Sequence, residues 1–242
     1  QLSAYRARMK NCDPTRLDRA GFLQEVRTAE AKAQDLISQG LNHHFNFRQN
    51  SPEMSALRDR YGIRSTPSPA GSGTSAGEQA AIAAQAIKNG VAQCVTISLT
   101  RGLDTHDDNW SSDQPDELQT SFNALAALID DLKESGFYDK TTIIAFSEFG
   151  RTGLLNSRGG RDHSLSSAAL LLGAGVPKNT VIGGTNDNGL GPLPIDPVTG
   201  QALASGGTTL TPNNVLASVM QSTGFDVTSL RTDGLPCLMA SS

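Results

Sequence analysis

Two apolar, β-branched runs with a long amphipathic stretch between them set the first constraint on this chain. Residues 91–99 and 141–146 are rich in Val, Ile and Thr and read as buried strands. Between them, residues 116–135 place Phe122, Leu125, Leu128, Ile129 and Leu132 on one helical face, with Gly136 as the stop. Strand, helix and strand with near-continuous apolar strands predict a parallel sheet and an α/β domain. Residues 167–172 read as a third strand, and Val181-Ile182 as a short fourth. In a parallel sheet, ligands gather beyond the carboxyl ends of the strands, so the loops after each strand are the places to look for chemistry.

The first ninety residues have a different character. Asp13-Pro14 reads as a helix start, and Leu17, Phe22, Val26, Ala29, Ala33 and Leu36 recur at helical spacing to about Ser38. Ser51-Pro52-Glu53 opens a short helix running to Tyr61 and stopped by Gly62. Residues 66–77, rich in Pro, Ser and Gly, read as a linker. An Ala-rich helix over 78–89 closes at Gly90. Downstream, residues 196–201 read as a hairpin tip, and Thr211-Pro212 caps a last helix over 213–223. The expected division is a helical segment over 1–65, the linker over 66–77, and an α/β core over 78–242.

Composition excludes some partners. A net charge of -4 and the lack of a basic cluster argue against nucleic acid. No apolar run reaches the length of a membrane span, and none reads as a signal peptide. Gln1 in place of an initiator Met reads as a processed or truncated start. With aromatics at 5%, the core must be built from aliphatic side chains. Of the three cysteines, Cys94 falls in an apolar strand and reads as core, while Cys12 and Cys237 can pair in an oxidising compartment.

Three loops carry the chemistry. After the first strand comes Leu103-Asp104-Thr105-His106, where a carboxylate and an imidazole two residues apart can converge on one ion. After the second comes Ser147-Glu148-Phe149-Gly150-Arg151-Thr152. Glu148 is the first ionisable side chain past the strand end, and Arg151 can hold an anion through its planar fork. A third loop, Gly159-Gly160-Arg161-Asp162-His163, offers Asp162 or His163 as ligand and Arg161 as a second anion contact. His43 and His44 lack such a setting and read as structural.

These motifs, in this order, resemble the bacterial family labelled domain of unknown function 1501, placed in the alkaline phosphatase and sulfatase-like superfamily. Ser-Glu-Phe-Gly-Arg-Thr is the most telling, and the likeness spans roughly residues 75–225. The resemblance implies a three-layer α/β/α sandwich with a mostly parallel sheet, and metal ligands at the strand ends. It implies a divalent metal, with zinc first and magnesium, calcium or manganese as alternatives. It also implies export to the periplasm or beyond, by a twin-arginine signal. Two features depart from the superfamily pattern: Phe149 stands where a His ligand is usual, and no strand with a nucleophile precedes Val91.

The functional expectation is a metal-dependent hydrolase acting on a small anionic phosphate or sulfate ester. Asp104, His106, Asp162 and His163 would bind metal, Glu148 would be a ligand or base, and Arg151 or Arg161 would hold the anion. The alternative is a catalytically inactive structural or assembly subunit, packed against a protein partner, that keeps the fold.

Overall fold

The computed structural model describes residues 22–38, 40–66 and 73–240. The predicted helix start at Asp13-Pro14, Cys12, and residues 67–72 of the linker lie outside them. The chain divides into two compact units. One takes the described residues up to Gly73 together with Gln85–Val95; the other takes Thr74–Ala84 and Thr96–Ser242.

In the first unit, α1 (Phe22–Ser38), α2 (Leu41–Phe45) and α3 (Pro52–Tyr61) follow one another. α3 forms where local chemistry dictates. The Ser51 side chain accepts a hydrogen bond from the Met54 amide at 3.2 Å, Pro52 occupies the first turn, and Gly62 ends the helix in the left-handed conformation at φ 62°. Met54, Leu57 and Tyr61 form its buried face, beside buried Phe47 and Ile63. The Arg58 guanidinium donates to the carbonyls of Phe47 and Gln49 at 2.7 and 3.0 Å and fixes the entry to the helix.

α4 (Ala76–Lys88) begins at a reciprocal cap. The Ser75 hydroxyl accepts from the Glu78 amide, and the Glu78 carboxylate accepts from the Ser75 amide. In the second unit, α5 (Trp110–Glu134) buries Ala124, Leu125, Leu128 and Leu132. It starts before the expected Asp116 and carries Pro115 inside its second turn. Phe122, expected on the buried face, is 52% exposed. A short 3-10 turn leads into β1 (Thr142–Phe146), which pairs with β4 (Ala169–Gly173). β2 (Gly150–Arg151) pairs with β3 (His163–Ser164).

The three-layer α/β/α sandwich with a mostly parallel sheet is not what forms. Among the described residues there are two sheets, each of two strands, and both are antiparallel. Parallel pairing needs a long crossover, usually a helix. The chain between β1 and β4 instead spends its length on loops and the small β2–β3 ladder, so β4 returns alongside β1 in the opposite sense. The predicted strand over 91–99 also fails to form. Its side chains alternate, with Val95, Ile97 and Leu99 half-buried and Cys94, Thr96 and Ser98 exposed. Its backbone is met by side chains rather than by a ladder: the Ser98 amide donates to Gln79 at 2.9 Å, and the Ser121 hydroxyl donates to the Leu99 carbonyl at 3.1 Å. Cys94 is therefore a surface thiol, not core. Val181-Ile182 forms no strand, and Val181 is exposed.

The C-terminal part matches its local signals. α6 (Pro212–Ser222) starts at a capping box between Thr211 and Asn214. The buried Ser218 hydroxyl donates to the Asn214 carbonyl and accepts the Leu235 amide at 2.9 Å, tying the tail to the helix. Ile195, Leu235, Cys237 and Leu238 form a small apolar core. Cys237 is a buried free thiol, and burial raises its pKa. No helix among the described residues is long and apolar enough to cross a membrane.

The predicted hairpin tip at 196–201 is present. Ile195 bridges Ala202, and the Asp196 carboxylate accepts the amides of Val198 and Thr199 at 2.8 Å each. Those backbone donors, Thr199 first, hold the Asp196 pKa below its ordinary value of 3.8. A depressed folded-state pKa contributes stability that is complete above the unfolded value and is lost as pH falls through the folded one. We predict that Asp196→Asn is less stable than wild type at neutral pH, and that the two converge as the pH drops below 3.8. Urea midpoints measured across that range test this; parallel curves down to the lowest pH would refute it.

Candidate metal centre

The site is built where two loops of the second unit touch. The first runs from Leu103 to Asp107, ahead of α5. The second runs from Thr152 to Asp162, between β2 and β3, and leads into His163. Asp107 bridges Gly159, and the Arg161 amide donates to the Thr105 carbonyl at 3.2 Å. This approach depends on Gly160: a side-chain carbon there would overlap the His106 carbonyl. Gly159 before it has φ 77°, a conformation that L side chains rarely adopt.

Asn156 fastens the contact. Its amide nitrogen donates to the His106 carbonyl and to the Asp162 carboxylate, both at 2.9 Å. Its oxygen accepts the amides of Arg158 and Gly160 at 2.9 and 3.0 Å. Both donors and both lone pairs of the carboxamide are thereby used. The residue was not among the sequence candidates. The signal that could have found it is an Asn at the head of Ser-Arg-Gly-Gly, where such a side chain bonds its own turn.

Arg151, on β2, lies across the ladder from His163. Its Nη1 donates to the Arg161 carbonyl and the His106 Nε2, both at 3.2 Å. Its Nη2 donates to the Leu103 carbonyl at 2.8 Å and to the Asp104 Oδ1 at 3.1 Å. The side chain is 12% exposed. Arg161 is occupied differently. It donates to the carbonyls of Thr152 and Gly153 at 2.8 and 2.7 Å, and its guanidinium lies 4.3 Å from the Trp110 ring centre. It clamps a turn, with no acceptor among the site's carboxylates or imidazoles in these contacts.

Around this frame one donor atom each from Asp104, His106 and His163 lies within 4.8 Å of the others. The His106 Nε2 is 3.0 Å from the His163 Nε2 and 3.2 Å from the Asp104 Oδ1. Arginine can only donate, so the His106 Nε2 facing it must carry the lone pair. The proton of the neutral ring then sits on Nδ1, 3.3 Å from the Asp162 Oδ1. That places Asp162 behind the imidazole rather than among the three donors. The Asn156 amide, then His106, lower the Asp162 pKa, keeping its carboxylate charged and accepting. Phe149 stacks on the other imidazole, His163, with ring centres 3.9 Å apart. Glu148 is exposed on the turn between β1 and β2, outside the three-donor group. His43 and His44 lie in α2 of the first unit, His43 within 3.5 Å of Glu53.

The donor set fits a zinc-type cation. Two imidazole nitrogens at ~2.0–2.1 Å from a tetrahedral centre stand ~3.3 Å apart. The spacings of 3.0 and 3.2 Å are close to that. Asp104 Oδ1 and His106 Nε2, two acceptors in this tautomer, lie 3.2 Å apart, a spacing that a cation between them would make attractive. Asp104 is largely exposed and His106 partly so, leaving the cluster open to water.

The contact at Gly160 predicts a specific weakness. Gly160→Ala should destabilise the protein by about 1–3 kcal/mol through forced separation of the two loops. Chemical denaturation measures this, and a change below about 0.5 kcal/mol would mean that the loops do not depend on the close approach.

Neither curated proteins nor solved structures offer a match to the chain. The model of one family, described as a protein of unknown function (DUF1501), matches residues 14–232. With nearly all of its length covered by that match, the chain belongs to the DUF1501 family.

Proposed function

We propose that Asp104, His106 and His163 hold a divalent cation, zinc by donor type, in an exported protein that hydrolyses a small phosphate or sulfate ester. The observation that carries the reading is the convergence of a carboxylate and two imidazoles from loops 57 residues apart. When bound, such an ion supplies Lewis-acid polarisation and water activation. The chain's own residues supply the rest. Asp162 accepts the Nδ1 proton of His106 and fixes the tautomer that leaves Nε2 unprotonated, the usual outer partner of a ligating imidazole. Phe149 holds the plane of His163. Glu148 is the carboxylate left to take a proton from attacking water. In that step the oxygen of water bonds to phosphorus or sulfur, the ester oxygen leaves with a proton, and no redox partner is needed. The ester class rests on the three motifs and their resemblance to the alkaline phosphatase and sulfatase-like superfamily; the sheet architecture lends it no support.

A specific observation favours a second reading, a non-catalytic subunit that keeps the site. Both arginines suited to gripping an anion already donate to backbone carbonyls. Activity measurements separate the two. Metal-loaded protein hydrolysing 4-nitrophenyl phosphate or sulfate, with loss of turnover in His163→Ala, supports the enzyme. Metal binding without turnover on either supports the subunit.

Metal content tests the site itself. Purified protein should carry or take up one equivalent of zinc, and a His106→Ala/His163→Ala double variant should fall to background by elemental analysis. Retention of the full equivalent would overturn the assignment. Asp162→Ala should weaken zinc binding by about 10–100-fold while leaving the stoichiometry at one. An unchanged affinity by competition titration would remove Asp162 from its orienting role.

A further inference from the structure

Arg151 occupies the place that a cation would claim. Its Nη1 donates to the one lone pair of His106 Nε2, and its Nη2 to the Asp104 carboxylate. A neutral imidazole nitrogen has a single lone pair, so His106 can accept from Arg151 or ligate a metal, but not both. We propose that Arg151 is the internal competitor of the metal, and that metal loading releases it to bind a tetrahedral oxyanion beside the ion. This rests on the metal reading above and adds to it an obligatory link between the two ligands.

The remaining contacts make the exchange local. With His106 taken, Nη1 still donates to the Arg161 carbonyl and Nη2 to the Leu103 carbonyl. The guanidinium therefore stays anchored at the site while one Nη1–H loses its acceptor. Asp104 has lone pairs to spare, but its charge is then shared with a dication, which weakens its hold on Nη2. A planar fork with freed donors beside a cation suits a phosphate or sulfate group, which can bridge the two. In the metal-free state the same donors are spent, and the anion has nothing to bind.

The consequence is reciprocal thermodynamics. If metal raises the affinity for an oxyanion, the oxyanion raises the affinity for metal by the same factor. Calorimetric titration of the full chain with zinc and with inorganic sulfate, each alone and each with the other saturating, reads both factors. We expect sulfate to bind at least about 5-fold more tightly with zinc present, and zinc to gain equally from sulfate. In Arg151→Gln, zinc should bind more tightly than in wild type, because its competitor is gone, and the coupling to sulfate should vanish. The same variant losing zinc affinity while keeping its circular dichroism spectrum would overturn the competition. Coupling that persists in it would place the anion on the ion alone and overturn the role of Arg151. Zinc binding without any coupling in wild type would sink this proposal and leave the metal site standing; no zinc binding at all would sink the metal site itself. Should Arg151→Gln fail to fold, nitrogen spectra of the wild-type arginine side chains decide. The Arg151 Nη hydrogens should be held in the metal-free protein, loosen with zinc, and be held again with zinc and sulfate. Spectra unaltered by zinc would refute the release.

Discussion

Everything at the candidate centre depends on one backbone contact, the passage of Gly160 against the carbonyl of His106. That contact brings Asp104 and His106 to the level of His163, although the chain separates them by more than fifty residues. The Asn156 carboxamide converts proximity into register, because the same nitrogen that holds the His106 carbonyl also holds the carboxylate behind its ring. A shift of either loop would break the bond to the His106 carbonyl, while the bond to Asp162 stays within its own loop. Exposed ion pairs such as Arg158 with Asp107 lie at the same seam, but in water they are worth little. The position of the imidazoles is set by satisfied polar groups and by the missing side chain of Gly160, not by the charges on the surface.

The legible parts of the fold are those decided within a few residues. Ser51, Pro52 and Gly62 define α3, and Thr211, Pro212 and Asn214 define the start of α6, because a cap needs only its own turn. The hairpin at Asp196 is of the same kind. Strand pairing is not local. The runs expected as strands at 141–146 and 167–172 form them at 142–146 and 169–173, yet nothing in either run specifies whether the partner runs parallel or antiparallel. The run over 91–99 shows the limit most plainly. Its composition suits a strand, but a strand exists only where another backbone accepts it, and here side chains of Gln79 and Ser121 meet it instead. The fate of Cys94 follows from that of the run containing it.

The site was legible to a similar depth. Residue type pointed to Asp104, His106, Glu148, Asp162 and His163, and three of these, Asp104, His106 and His163, come together. Which atom of each faces which neighbour was not readable. Asp162 and His163 are adjacent in sequence, yet one lies behind an imidazole and the other faces it. Arg151 and Arg161 looked equivalent as anion contacts. The ladder places the first over the donors and the second over Trp110. These differences come from a two-residue strand pairing, too short to leave a hydrophobic pattern. A centre assembled in this way does not need the parallel sheet that its motifs suggested, since function resides in the site and not in the architecture that carries it.

The charges around the donors give this arrangement its direction. Asp104 faces the Arg151 guanidinium and His106 Nε2, and Asp162 faces the far side of the His106 ring, which as a ligand is neutral. Without an ion, Arg151 is matched by Asp104 and Arg158 by Asp162, and the cluster has no net pull on an anion. A dication makes that balance positive, in a setting where Arg151 is mostly shielded from water and its field is screened less than that of an exposed charge. The inner lone pairs and the outer field therefore change together. The event that removes His106 from Arg151 also makes the surroundings attractive to the oxyanion that Arg151 is then free to meet. Neither effect alone would select for order of binding: free N–H groups without a net positive field would attract an anion weakly, and a positive cluster with its donors spent would hold an anion without orienting it.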